Sequence, residues 1–152
     1  MADKGSSVSS PIKTEPYHLS VQIYYEDTDH SGVVYHPNYL KYFERARENL
    51  IGTDALVKLW EEEGVGFSVY RAEMGFFDGA TFGERLDIRT TVEQDGKFRL
   101  VFQQEAWRPK GKKPAVTAVI EMVCLDKNRQ LKPIPPLRLD GRGNPKISSS
   151  EH

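Results

Sequence analysis

The amino-acid sequence predicts an α+β domain in which one long helix lies against an antiparallel sheet, and three observations carry that reading. A stretch beginning near Pro37 repeats apolar residues at helical spacing. After Gly66 the pattern becomes extended, with period-two alternation over successive segments. Turn chemistry, Asp95-Gly96 and Arg108-Pro109-Lys110-Gly111, separates those segments as hairpin connections do.

His18 to Glu26 reads as a first extended run, followed by the polar stretch Asp27-Thr28-Asp29-His30-Ser31-Gly32. Pro37 suits a first helical turn, because its missing N–H has no intrahelical partner there. Tyr39, Phe43, Ala46 and Leu50 then share one face, with Leu40 and Tyr42 widening it. Gly52 punctuates the helix, and Asp54 to Glu63 continues as a shorter one carrying Leu56, Leu59 and Trp60. Phe67 to Phe77 is aromatic-rich and extended. Leu86, Ile88, Thr90 and Val92 alternate with charged or polar neighbours. Phe98, Leu100, Phe102 and Gln104 do the same, as do Val116, Ala118, Ile120, Met122 and Cys124. Four such segments imply a meander, and the helix must cover one face of the resulting sheet.

The 152 residues carry 21 basic and 22 acidic side chains, so no global basic field favours nucleic acid or an anionic membrane. The single cysteine, Cys124, cannot form an intramolecular disulfide, and its apolar strand context predicts burial. No run approaches the ~18 apolar residues of a membrane span. MADKGSSVSSPIKTE lacks the apolar centre of a secretory signal, so the expectation is a soluble, cytoplasmic protein. Residues 1–15 and 140–152 hold too little apolar surface to offset the entropy of ordering them. They read as tails around one domain at 16–139.

The chemistry concentrates between Tyr24 and Leu40. Three acids follow a strand, and a glycine-containing turn leads into a helix N-terminus. Such a terminus offers unpaired N–H groups and a partial positive charge, which stabilise a developing oxyanion. A carboxylate seven residues upstream of that terminus can face the same point across the loop. A base or nucleophile and a polarising donor are what hydrolysis at a carbonyl needs. Ordinary capping by Asp27 or Asp29 accounts for the same composition. Pro37 has no N–H, so the donors at the helix start are those of Tyr35, His36 and Asn38. Asp27, Asp29, His30 and His36 include no helical H-x-x-x-H pair, and no metal is expected. On the helix, Glu44 and Glu48 suit pairing with Lys41, Arg45 or Arg47.

The segment Tyr24–Arg47, YYEDTDHSGVVYHPNYLKYFERAR, resembles the signature of the 4-hydroxybenzoyl-CoA thioesterase branch of the hotdog superfamily. It is most similar to the Tol–Pal-associated acyl-CoA thioesterases. The likeness runs to about Lys132, through Phe67 to Ala80, RLVFQQ and VIEMVCLD. It implies a hotdog fold, an antiparallel sheet curling around a long central helix, assembled as a homodimer or homotetramer. It also implies hydrolysis of an acyl-CoA thioester to free acid and CoA, with no cofactor. Asp29 falls at the position of the catalytic acid, as base or nucleophile, and His36 at that of the backbone amide polarising the carbonyl. His30-Ser31 departs from the pattern, standing where relatives often carry Ala-Gly. Tyr35, with Tyr39, Phe67 and Phe76, becomes a candidate for the acyl pocket. Lys97 and Arg99, with Arg108, Lys110, Lys112 and Lys113, become candidates for the CoA phosphates. Two other functions fit the fold: an acyl-CoA hydratase or dehydratase, and a non-catalytic acyl-CoA or acyl-carrier binding protein. The EDTD-x-x-G-V-V-Y-H-P-N-Y order favours hydrolysis.

Overall fold

The computed structural model describes residues 14–139, so all of the predicted tail at 140–152 and most of the one at 1–15 lie outside the described residues. In chain order the elements are β1 (Tyr17–Gln22), a 3₁₀ turn (Tyr25–Asp27), α1 (Asn38–Ile51), α2 (Thr53–Lys58), a wide helical turn (Leu59–Glu63), β2 (Val65–Phe76), β3 (Arg85–Asp95), β4 (Arg99–Trp107), β5 (Val116–Asp126) and the short β6 (Leu131–Lys132). β1 stops before Glu26 because Asp27 Oδ2 accepts the Tyr24 N–H at 2.8 Å and tightens the chain into the 3₁₀ turn. Ordered pairing also begins inside the stretch read as a tail. Thr14 N–H donates to the Val92 carbonyl, and Val92 N–H to Thr14 Oγ1, both at 3.1 Å. No helix among the described residues is long and apolar enough to cross a membrane.

All the strand pairs are antiparallel, in the order β1-β3-β4-β5-β2, with β6 joining β5 at Cys124 and Leu125. Only β3, β4 and β5 form the meander. β2 is not β3's neighbour; it crosses to the far edge and pairs along β5, from Val65 opposite Asp126 to Phe76 opposite Val116. Its side chains record that position: Val69 to Glu73 are exposed on both faces of the strand, with a bulge at Tyr70. A strand with two covered flanks shows the clean alternation of β3, β4 and β5 instead.

α1 covers the face toward which Leu86, Ile88, Val92, Leu100, Phe102, Val116 and Ile120 point. Its buried residues, Tyr39, Tyr42, Phe43, Ala46, Arg47, Leu50 and Ile51, recur at three- and four-residue spacing along one stripe. Each large apolar side chain taken fully out of water contributes roughly 1.5–3 kcal/mol. Leu40, predicted to widen this face, stands off it and is exposed. Cys124 is fully buried, and that burial pushes its thiol pKa up.

The stripe contains a cation, which the sequence pattern placed on the surface among Glu44 and Glu48. Arg47 is only 6% exposed and donates through Nη1 to Gln104 Oε1 at 3.0 Å. Gln104 Nε2 donates in turn to the Phe43 carbonyl at 3.0 Å and to Thr90 Oγ1 at 2.9 Å. Glu48 accepts instead from Thr53 Oγ1. One buried amide therefore ties α1 to both central strands. Gln104→Leu strips the acceptor from a buried guanidinium and is expected to cost about 3 kcal/mol, whereas Thr90→Val costs about 1 kcal/mol. Urea midpoints at one fixed protein concentration measure both, and an unchanged Gln104→Leu midpoint would remove the junction from the account.

Candidate active site

Between β1 and α1 the chain builds a small platform held by backbone hydrogen bonds. The backbone carbonyl of Asp27 accepts two donors, Tyr35 N–H and Asn38 Nδ2–H, each at 2.9 Å. Thr28 bridges Val34, and Asp29 N–H donates to the Val33 carbonyl at 2.8 Å, closing a tight loop with His30-Ser31-Gly32 at its tip. Gly32 sits at φ +89°, a conformation that a side chain would strain. Its N–H returns to the Asp29 carbonyl at 3.0 Å. Asp29 itself turns its carboxylate onto Ser31: Oδ1 accepts Ser31 N–H at 2.8 Å and Ser31 Oγ–H at 2.7 Å. These bonds, the hydroxyl's first, hold the Asp29 carboxyl below the usual carboxylate range, so it is ionised at neutral pH.

Seven residues on, the helix start is left electrically open. No acid lies in the first turn of α1, and no side chain caps it. Of the donors expected there, Tyr35 N–H is spent on Asp27 and Asn38 N–H on the Tyr35 carbonyl. Tyr39 and Leu40 donate to His36 and Pro37. Among the described residues, the His36 N–H meets no acceptor, so the pool of three donors reduces to one. Its position at a helix N-terminus suits it to a developing negative charge. The His36 ring is held edge-on between Tyr35, 5.3 Å away between centroids, and Phe76 at 5.8 Å. Tyr35 and Phe76 are about half exposed and form an apolar rim beside that N–H, whereas Tyr39 is core.

The platform rests on the loop between β2 and β3. Val34 N–H donates to the Ala80 carbonyl at 2.9 Å, and Val33 bridges Thr81. Val33 packs so closely on Gly79 that a Cβ there would lie 2.8 Å from its Cγ1. Arg108 closes this loop from behind. Its guanidinium binds Glu84 through two bonds, 2.7 and 3.0 Å, and Asp78 at 2.9 Å. Read from the sequence as a candidate for anionic groups, Arg108 is instead committed to two carboxylates of its own chain. The acid pattern alone gave no signal for this, because its partners lie 24 and 30 residues away.

The remaining candidates divide by their end of the sheet. Lys110, Lys112 and Lys113 belong to the β4–β5 connection, at the platform's end, and Lys110 takes a left-handed φ of 61°. Lys97 and Arg99 flank the β3–β4 turn, separated from it by the length of β4, roughly 26 Å at ~3.3 Å per residue. Arg99 is bound there by Asp95, Glu121 and Tyr70 Oη. Within one chain, Lys97 and Arg99 are not brought together with Asp29 and His36. Glu73 pairs with Arg71 on the exposed edge. Among the described residues, no three His, Cys, Asp or Glu side chains gather to hold a metal ion.

A family model described as the Thioesterase-like superfamily matches residues 24–140, which include the whole platform. The chain is 43% identical over 89 residues to the acyl-CoA thioesterase YbgC of Helicobacter pylori, covering 59% of this chain and 65% of that protein. Its counterpart from Haemophilus influenzae is 31% identical over 120 residues, or 78% and 86% of the two chains. Among solved structures, a probable thioesterase from Bartonella henselae superposes with a TM-score of 0.72 at 28% identity, covering 80% of this chain and all of that one.

The clasp around Arg108 carries a pH signature. Hydrogen bonding to Arg108 lowers the pKa of both Asp78 and Glu84. A lowered folded-state pKa means stabilisation that is present above the ordinary carboxylate range, about pH 4, and lost as pH falls through the lowered values. Arg108→Gln should therefore unfold at a lower temperature than the parent at pH 7, and the gap should close in acid. A gap independent of pH in thermal melts would contradict the clasp.

Proposed function

The chain belongs to the thioesterase-like superfamily, with the hotdog fold of its members, and from that premise we propose that it is an acyl-CoA thioester hydrolase. The observation that carries the proposal is the single unspent N–H of His36, at the uncapped start of α1, in the same short loop as an ionised Asp29. In this reading the thioester oxygen accepts that N–H. As the carbonyl carbon is attacked, negative charge grows on the oxygen, where the N–H and the helix terminus stabilise it. Asp29 either attacks the carbon itself or takes a proton from the attacking water. The C–S bond breaks, the thiolate leaves and is protonated, and water supplies the new oxygen of the free acid. Tyr35 and Phe76 offer apolar surface to the acyl group beside the reacting carbon.

The same reading requires a second copy of the chain. β2 presents a long edge whose central residues are exposed on both faces, with Val69 and Tyr70 among them. Open edges of this kind are paired or covered in soluble proteins. Pairing two β2 edges would continue the sheet and bring the partner's surface against the rim formed by Tyr35 and Phe76.

Free-thiol release from a panel of acyl-CoAs tests the activity. Asp29→Asn should lower kcat by ~10²-fold or more while leaving circular dichroism unchanged; a folded variant with parental turnover would overturn the role of Asp29. Light scattering of the active protein should return at least twice the 17.3 kDa protomer mass. An active monomer would refute the paired edge.

A further inference from the structure

Asp29 is held asymmetrically by its own turn. Both bonds from Ser31, the N–H at 2.8 Å and the hydroxyl at 2.7 Å, fall on Oδ1. Among the described residues, no side chain donates to Oδ2, and the backbone N–H groups of Gly32 and Val33 act on the carboxylate more weakly than Ser31 does. The two bonds differ in origin. Any residue but proline at position 31 supplies the N–H, the ordinary chemistry of an Asx turn. Only a hydroxyl side chain supplies the second.

We infer that the Ser31 hydroxyl is a positioning group for the reaction, fixing Oδ1 of Asp29 so that Oδ2 is the oxygen that meets the acyl carbon or its attacking water. This rests on the thioesterase reading above. Two consequences follow from the geometry. With the hydroxyl gone, the carboxylate rotates more freely about its remaining bond, and fewer encounters have Oδ2 aligned, so the loss falls on kcat rather than on KM. A hydrogen bond to a carboxylate also favours its charged form, and the Ser31 hydroxyl is the largest cause of Asp29's lowered pKa. Removing it raises that pKa, so as pH falls, the protonated, inactive form takes over at a higher pH.

The test compares Ser31→Ala, Ser31→Thr and Asp29→Asn with the parent in thiol release from one acyl-CoA, across the acidic pH range in which circular dichroism shows each folded. All three keep the Ser31 backbone bond donor. Ser31→Ala should lose roughly tenfold in kcat with KM little changed, and the acid limb of its kcat/KM profile should move to higher pH. Ser31→Thr, which restores a hydroxyl, should recover both. If Asp29→Asn is inactive while Ser31→Ala keeps the parental kcat and acid limb, the inference about Ser31 is wrong and the hydrolase reading stands. A loss in Ser31→Ala with an unmoved acid limb and no recovery in Ser31→Thr also overturns it, assigning the serine to the turn alone. If Asp29→Asn matches the parent, the hydrolase reading itself fails with Asp29 as its acid.

Discussion

The setting of α1 on the sheet turns on one buried side chain, Gln104. Apolar packing alone would tolerate small slides and rotations of the helix, because dispersion and burial have little directionality. An amide at the interface does not. Gln104 must accept from Arg47 and donate to the Phe43 carbonyl and Thr90 at once. That set of bonds is met at one rotation and one axial position of α1. The helix start at Asn38 lies five residues before Phe43 and nine before Arg47, about 8 to 14 Å at 1.5 Å per residue, and inherits that position. The junction is thus where sheet geometry becomes site geometry.

Around the helix start, two acids two residues apart have opposite assignments. Asp27 is consumed: its carboxylate caps the 3₁₀ turn, and its carbonyl takes both Tyr35 and Asn38. With Tyr35 N–H spent on Asp27 and Asn38 N–H on the Tyr35 carbonyl, the His36 N–H is left unmatched. Asp29 sits past the bridge from Thr28 to Val34, where the loop closes, with Oδ1 held by Ser31 and no side chain on Oδ2. Both groups lie toward solvent, so water can satisfy them until a ligand takes its place. The Arg108 clasp lies one layer further back, beneath the loop that carries Ala80 and Thr81.

How far the fold could be read in advance depended on the range of each interaction. The stripe on α1 and the alternation of β3, β4 and β5 are local periodicities, and both were legible. So was the polar loop between β1 and α1 that carries Asp29. The place of β2 was not, because its partner is the last long strand, and its own alternation is blurred by exposure on both faces. Arg47 misled for a related reason: helical spacing offers it Glu44, while its acceptor is 57 residues distant. Lys97, Arg99 and Arg108 look like one basic region in the sequence, yet β4 carries them to opposite ends of the sheet. The three candidate donors at the helix start were visible; which of them were already spent depended on the carbonyls of Asp27 and Tyr35.

The strand order has a consequence for how the chain is made. During vectorial synthesis β1, α1 and β2 leave the ribosome first, when both strands still lack their partners and most of the sheet that α1 covers is absent. β1 waits for β3, the buried face of α1 waits for the strand that carries Gln104, and β2 waits for β5. Long-range pairings of this kind fold slowly, and their precursors expose apolar stripes and strand edges meanwhile. The nascent N-terminal half therefore keeps apolar surface open to solvent until the β4–β5 hairpin has been made.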